Sequence, residues 1–110
     1  MDLVSKATEI GKELANSSEF MEYKKLYETV YKDEKNKDMI DDFRRKIMDY
    51  EMKKQDNKAT DEDFKNLQNL QNILSLNPEV SRFLFSEANF SMKLQEVFQA
   101  IEKEIKLDWW

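Results

Sequence analysis

One glycine and one proline in 110 residues leave this chain few ways to turn sharply. Sandwiches, barrels and doubly wound α/β folds need many tight turns, and those turns draw on glycine, proline and Asn-Gly pairs. Gly11 and Pro78 alone cannot supply them. The connections must instead use Asn, Asp, Ser and Lys, which suit helix ends. The chain is 37% charged, 40% hydrophobic and 12% aromatic. That mixture fits charged surfaces over apolar helical stripes, not a disordered chain. The expected fold class is all-α: about five helices forming a helical bundle, with a long C-terminal helix, in a single domain over residues 1–110.

Apolar spacing places the helices. Leu3, Ala7, Ile10 and Leu14 fall at steps of four, three and four, one stripe on a helix over about 2–15. Asn16-Ser17-Ser18 breaks it and starts a second helix carrying Phe20, Tyr23, Tyr27 and Val30, with an end expected near Lys32. The segment 32–38 has little apolar content and reads as a connection. A third helix carries Ile40, Phe43, Ile47 and Tyr50, and the polar run 55–60 follows as a loop. Thr60 with Asp63 resembles a capping box for a fourth helix bearing Phe64, Leu67, Leu70 and Leu74. Asn77-Pro78 ends that helix and starts the fifth, with Asn77 as N-cap and Pro78 at the first helical position.

The fifth pattern runs from Val80, Phe83 and Leu84 through Phe90, Leu94, Val97, Ile101 and Ile105. A helix over 78–106 would be about 43 Å long. Its shorter neighbours cannot cover that length, so part of its apolar face is expected to be buried by another subunit in a dimer. Phe83, Phe90, Leu94, Val97 and Ile101 are the candidate core or dimer-interface residues. Trp109 and Trp110 would be costly to leave in water, so they either dock on the bundle or its dimer mate or form a partner-binding surface. Methionines Met21, Met39, Met48, Met52 and Met92 are expected to fill gaps in the core or at its boundary.

Several chemistries lack their residues. With no cysteine, this chain has no disulfide, thiolate nucleophile, zinc–thiolate site or cysteine-held iron–sulfur cluster. With no histidine, it lacks the commonest general base and the Glu-x-x-His metal pattern of helical bundles. Gly11 alone builds no phosphate-cradling loop or nucleophile elbow. Asp61-Glu62-Asp63 lacks the calcium-loop spacing. Carboxylates such as Glu9 and Glu13 read as solvated helix surface. The expectation is a non-enzyme without cofactor or metal, working by protein–protein interaction. No apolar run approaches the ~20 residues of a membrane span, and residues 1–4 show no signal pattern, so a cytoplasmic protein is expected. Net charge is −5 with both signs mixed. The densest basic stretch, Arg44-Arg45-Lys46, follows Asp41 and Asp42 and reads as a solvated face. Nucleic-acid binding through that stretch with Lys53 and Lys54 is the alternative.

Taken in order, the residues resemble a known family. The matching features are Ala7-x-x-Ile10-Gly11-x-x-Leu14, Ser18-Glu19-Phe20-x-x-Tyr23 and Met39-Ile40-x-Asp42-Phe43-Arg44. The firmest stretch is Leu74-x-x-Asn77-Pro78-x-Val80-x-x-Phe83-Leu84-x-x-Glu87-x-x-Phe90, followed by Leu94-x-x-Val97-x-x-x-Ile101. Together they resemble the YlbF/YmcA family of small bacterial helical proteins, nearest its YheA-like branch. The resemblance implies a helical, dimeric fold with no known catalysis. It also implies a regulatory adaptor in competence, biofilm formation and sporulation, in a complex linked to RNase Y and messenger-RNA turnover. Partners would then be a second copy, family relatives or RNase Y. Some relatives bind iron–sulfur clusters through cysteines; this chain has none, so that property is not carried over.

Overall fold

A computed structural model describes residues 2–108. It contains α1 (Leu3–Ala15), α2 (Ser18–Leu26), a π-helical turn (Tyr27–Tyr31), α3 (Glu34–Gln55), α4 (Asp61–Ser75) and α5 (Pro78–Ile105). No strand occurs among the described residues, and the all-α expectation holds with five α-helices. Trp109 and Trp110 lie outside the described residues. The contacts group the chain into two compact units, residues 26–83 and residues 2–25 with 84–108.

The caps account for the boundaries. Asp2 accepts from the Ser5 amide at 2.7 Å to start α1. Thr60 and Asp63 form the expected capping box, each side chain accepting the other's amide hydrogen at 3.1 Å. Asn77 Oδ1 accepts from the Glu79 and Val80 amides at 3.1 and 3.2 Å and opens α5. At the end of α3, Asn57 takes φ +57°. The Lys58 amide reaches back to the Lys53 carbonyl at 2.7 Å and the Asn57 amide to Lys54 at 3.1 Å. This is a Schellman turn with asparagine in the left-handed position usually filled by glycine. A chain so poor in glycine needs that substitute.

Helix α3 begins earlier than its apolar pattern. Residues 34–38, expected as a connection, are helical from Glu34. Asp33 caps them by accepting from the Asn36 amide at 3.1 Å. The Asn36 side chain donates to the Val30 carbonyl and accepts from Asn77, both at 3.3 Å. Hydrogen bonding holds this turn, so hydrophobic periodicity could not reveal it.

The unit 26–83 has a core of Leu26, Val30, Ile40, Leu74, Val80 and Phe83. Burying six such side chains contributes on the order of 10 kcal/mol before chain ordering is subtracted. In the unit 2–25 with 84–108, the only buried described residue is Ser86. Here α2 and α5 meet through Phe20, Tyr23 and Phe90, with Phe20 and Phe90 rings 5.0 Å apart. This second unit has packed aromatic contacts but no closed core.

The methionine expectation is corrected. Met21, Met48, Met52 and Met92 are all more than half exposed, and only Met39 is half-buried. At about 100° per residue, Met48 and Met52 fall roughly a quarter-turn or more from the Ile40–Ile47 stripe of α3. The short core is already filled by Leu, Ile, Val and Phe.

Candidate interaction surfaces

The best-ordered polar cluster grows from the π-helical turn. The Lys32 amide bonds to the Tyr27 carbonyl at 3.1 Å, five residues back. The widened turn stacks Tyr27 on Tyr31 at 5.2 Å and Tyr31 on Phe83 at 5.4 Å. The Arg44 guanidinium lies 5.7 Å over Tyr31 and 5.9 Å over Phe83. The Tyr31 hydroxyl donates to Asp41 at 2.6 Å, and Lys37 donates to the other oxygen of Asp41 at 2.7 Å. The bonds from Lys37 and Tyr31 hold the Asp41 carboxyl below its usual range. The same bond to Asp41, with desolvation, pushes the Tyr31 phenol up. Every polar member is satisfied, so the cluster orients the π-turn against α3.

Two cations of the Arg44-Arg45-Lys46 stretch share one anion of their own helix. Arg45 and Lys46 both pair with Asp42, at 2.7 and 2.9 Å, and hold its carboxyl below the usual range. Lys53 reaches Asp63 at 3.4 Å, and Lys54 lies 5.7 Å over the Tyr50 ring. The helix geometry sets each cation beside an anion or ring of its own surface. Between α3 and α4 runs an open groove of about 500 Å³, with Tyr50, Leu67, Leu70 and Ile73 along it and Lys46 and Lys53 at its edge.

In the unit 2–25 with 84–108, Tyr23 donates to Glu87 at 2.9 Å and Lys93 pairs with Glu19 at 3.1 Å. These bonds tie α2 to the first half of this unit's α5 segment. The sequence-predicted interface residues divide along α5. Phe83 is 1% exposed inside the other unit's core. Phe90, Leu94 and Val97 are half-buried, and Ile101 is 49% exposed. Periodicity missed Phe85 and Phe98, both largely exposed. Phe85 stands off the main stripe, whereas Phe98, four residues after Leu94 and three before Ile101, borders it. Helix α1 has no buried residue at all; Leu3 is 83% exposed and Leu14 is half-buried.

Among the described residues, no three His, Cys, Asp or Glu side chains are grouped to hold a metal ion. No described helix is long and apolar enough to cross a membrane.

Known proteins share this architecture. The UPF0342 protein of Caldicellulosiruptor saccharolyticus is 35% identical over 102 residues, covering 92% of this chain and 85% of that protein. Its counterpart in Caldicellulosiruptor bescii is 34% identical over 101 residues, covering 91% and 85%. A solved structure described as a protein of unknown function (DUF964) from Bacillus stearothermophilus matches with a TM-score of 0.78 at 22% identity, covering 94% of this chain and 91% of that one. A chain from the crystal structure of Bacillus subtilis RicA in complex with RicF matches with a TM-score of 0.58 at 22% identity, covering 94% and 96%. The family model described as control of competence regulator ComK, YlbF/YmcA, matches residues 3–106. From the first turn of α1 to the end of α5, this chain belongs to the YlbF/YmcA family.

Proposed function

We propose that this protein is a non-catalytic, cytoplasmic regulatory adaptor that acts by protein–protein association, as a homodimer that also engages family relatives or RNase Y. The observation that carries the reading is the uncovered apolar surface of the unit 2–25 with 84–108. There Phe98, Ile101 and Ile105 on α5 and Leu3 and Val4 on α1 all stand about half open or more, and Ser86 is the only buried described residue. Apolar area of that kind marks an interaction surface on a soluble chain. The family model's description as a competence regulator supports a regulatory role. One neighbour in fold comes from a complex of two proteins, RicA with RicF, which supports partnership as the mode of action.

The test is a tagged pull-down from the host lysate, quantified by mass spectrometry against a Leu94→Asp control. Leu94 sits half-buried on the same α5 face, and a charge there is expected to reduce partner recovery. Specific recovery of family relatives or RNase Y, lost in the control, is the expected result. Equal recovery by both chains, or recovery of the bait alone, would sink the adaptor role. The nucleic-acid alternative loses ground because Asp42 and Asp63 pair with three of its five cations, Arg45, Lys46 and Lys53. Oligonucleotide binding at low salt that falls steeply as salt rises would revive it.

A further inference from the structure

Helix α1 combines three features that its own chain does not explain. It is a 13-residue helix, capped by Asp2, with no buried residue. A helix this short is marginal in water unless one face is packed. It also carries Gly11 mid-helix, where glycine costs about 1 kcal/mol relative to alanine. A Cβ added at Gly11 would meet nothing within 4 Å, so the fold of one chain has no need of a glycine there. Finally, among the described residues, Lys6 and Glu13 take part in no ion pair, whereas Lys37, Asp41, Asp42, Arg45, Lys46 and Lys53 of α3 do.

We infer that α1 is a seam of the homodimer, pairing antiparallel with α1 of a second copy, with Gly11 at the close approach and Lys6 facing Glu13 across it. The inference rests on the homodimer reading above and names its surface. At about 100° per residue, Leu3, Ala7, Ile10 and Leu14 form the centre of the face. Lys6 and Glu13 line one edge, and Val4 and Gly11 line the other. Running the second helix in reverse sets Leu3 against Leu14 and Ala7 against Ile10, so small meets large. The same reversal brings Lys6 beside Glu13 twice, once on each side of the two-fold axis. A parallel pair would set Ala7 on Ala7, leaving a gap, and would place Lys6 by Gly11 with no partner. On the edge formed by Val4 and Gly11, the missing side chain at Gly11 lets the backbones come close. A lipid surface fits less well: the polar side carries Lys6 and Lys12 against Glu9 and Glu13, without the basic excess an anionic membrane attracts.

Charge exchange on the full chain tests the seam by sedimentation equilibrium. All the altered positions are exposed, so folding is not at stake. Lys6→Glu alone and Glu13→Lys alone should each weaken self-association about tenfold, because two attractive pairs become repulsive. The double variant Lys6→Glu with Glu13→Lys should recover to within about threefold of the parent. A double variant as weak as the singles overturns the seam. The chain has no cysteine, so cross-linking is clean. Ala7→Cys with Ile10→Cys should give a disulfide-linked dimer on oxidation, while Ala7→Cys alone should not. Linkage by Ala7→Cys alone would show a parallel pair and refute the proposal. A dimer indifferent to every charge change would keep the homodimer and discard the seam. A parent chain monomeric at all concentrations would remove both.

Discussion

Phe83→Ala separates core from interface. Phe83 is 1% exposed, and its ring stacks on Tyr31 at 5.4 Å under the Arg44 guanidinium. Phe→Ala changes at buried sites cost about 3–5 kcal/mol. Three local features place this site in that range. The lost Tyr31 stack adds about 1 kcal/mol. Alanine's better helix propensity in α5 returns about 0.5 kcal/mol. The Arg44 and Tyr31 side chains are only half-buried and can relax into the space, which favours the lower end. The expected net loss is about 3 kcal/mol. With a urea slope of about 1.5 kcal/mol per molar, the midpoint should fall by about 2 M. The assay is urea unfolding followed by far-ultraviolet circular dichroism at two well-separated protein concentrations. A core residue lowers the midpoint equally at both, whereas an interface residue acts through association and its effect changes with concentration. A loss below about 1 kcal/mol, or one that grows on dilution, would refute the placement of Phe83 in the core.

Other expectations follow from the same contacts. Tyr31→Phe keeps the ring stack but removes the bond to Asp41, which retains Lys37; a loss of about 1 kcal/mol is expected by urea unfolding. A loss as large as that of Phe83→Ala would contradict this division of roles. Thr60→Ala removes half of the α4 capping box and should cost about 1 kcal/mol, while Thr60→Ser should cost little. Equal effects would assign the loss to the methyl group instead. Acid should destabilise the fold, because bonds from Lys37 and Tyr31 to Asp41, and from Lys46 and Arg45 to Asp42, lower both carboxyl pKa values below the usual 3.8. That stability is held above the unfolded value and lost as pH falls through the folded one. Asp41→Asn should make the fall in urea midpoint between neutral pH and about pH 3 measurably shallower. An unchanged slope would show that Asp41 is not part of the linkage.

Local chemistry determined the helical class and most helix ends in this protein. Scarce glycine and proline removed sheet folds, and Thr60-x-x-Asp63 and Asn77-Pro78 placed two helix starts. These signals are short-range: a cap is decided within three or four residues, so it can be read along the chain. Arg45 and Lys46 were likewise legible as a solvated face, because their partner Asp42 lies within one helical turn, whereas Arg44 is half-buried over Tyr31 and Phe83.

Tertiary contacts decided the rest. The helical start at 34–38 has a local cap in Asp33, but Asn36 also meets Val30 and Asn77, the last of them 41 residues away, and apolar spacing carries no trace of either bond. The π-turn carries Tyr31, which bonds Asp41 and stacks on Phe83, both distant in sequence. Periodicity showed that Phe83 and Ile101 share an apolar stripe, yet only packing shows one sealed in a core and the other half open. An amphipathic pattern states which side of a helix seeks cover. Whether cover comes from the same chain depends on the path of distant segments, and along α1 and the end of α5 this chain leaves that side open.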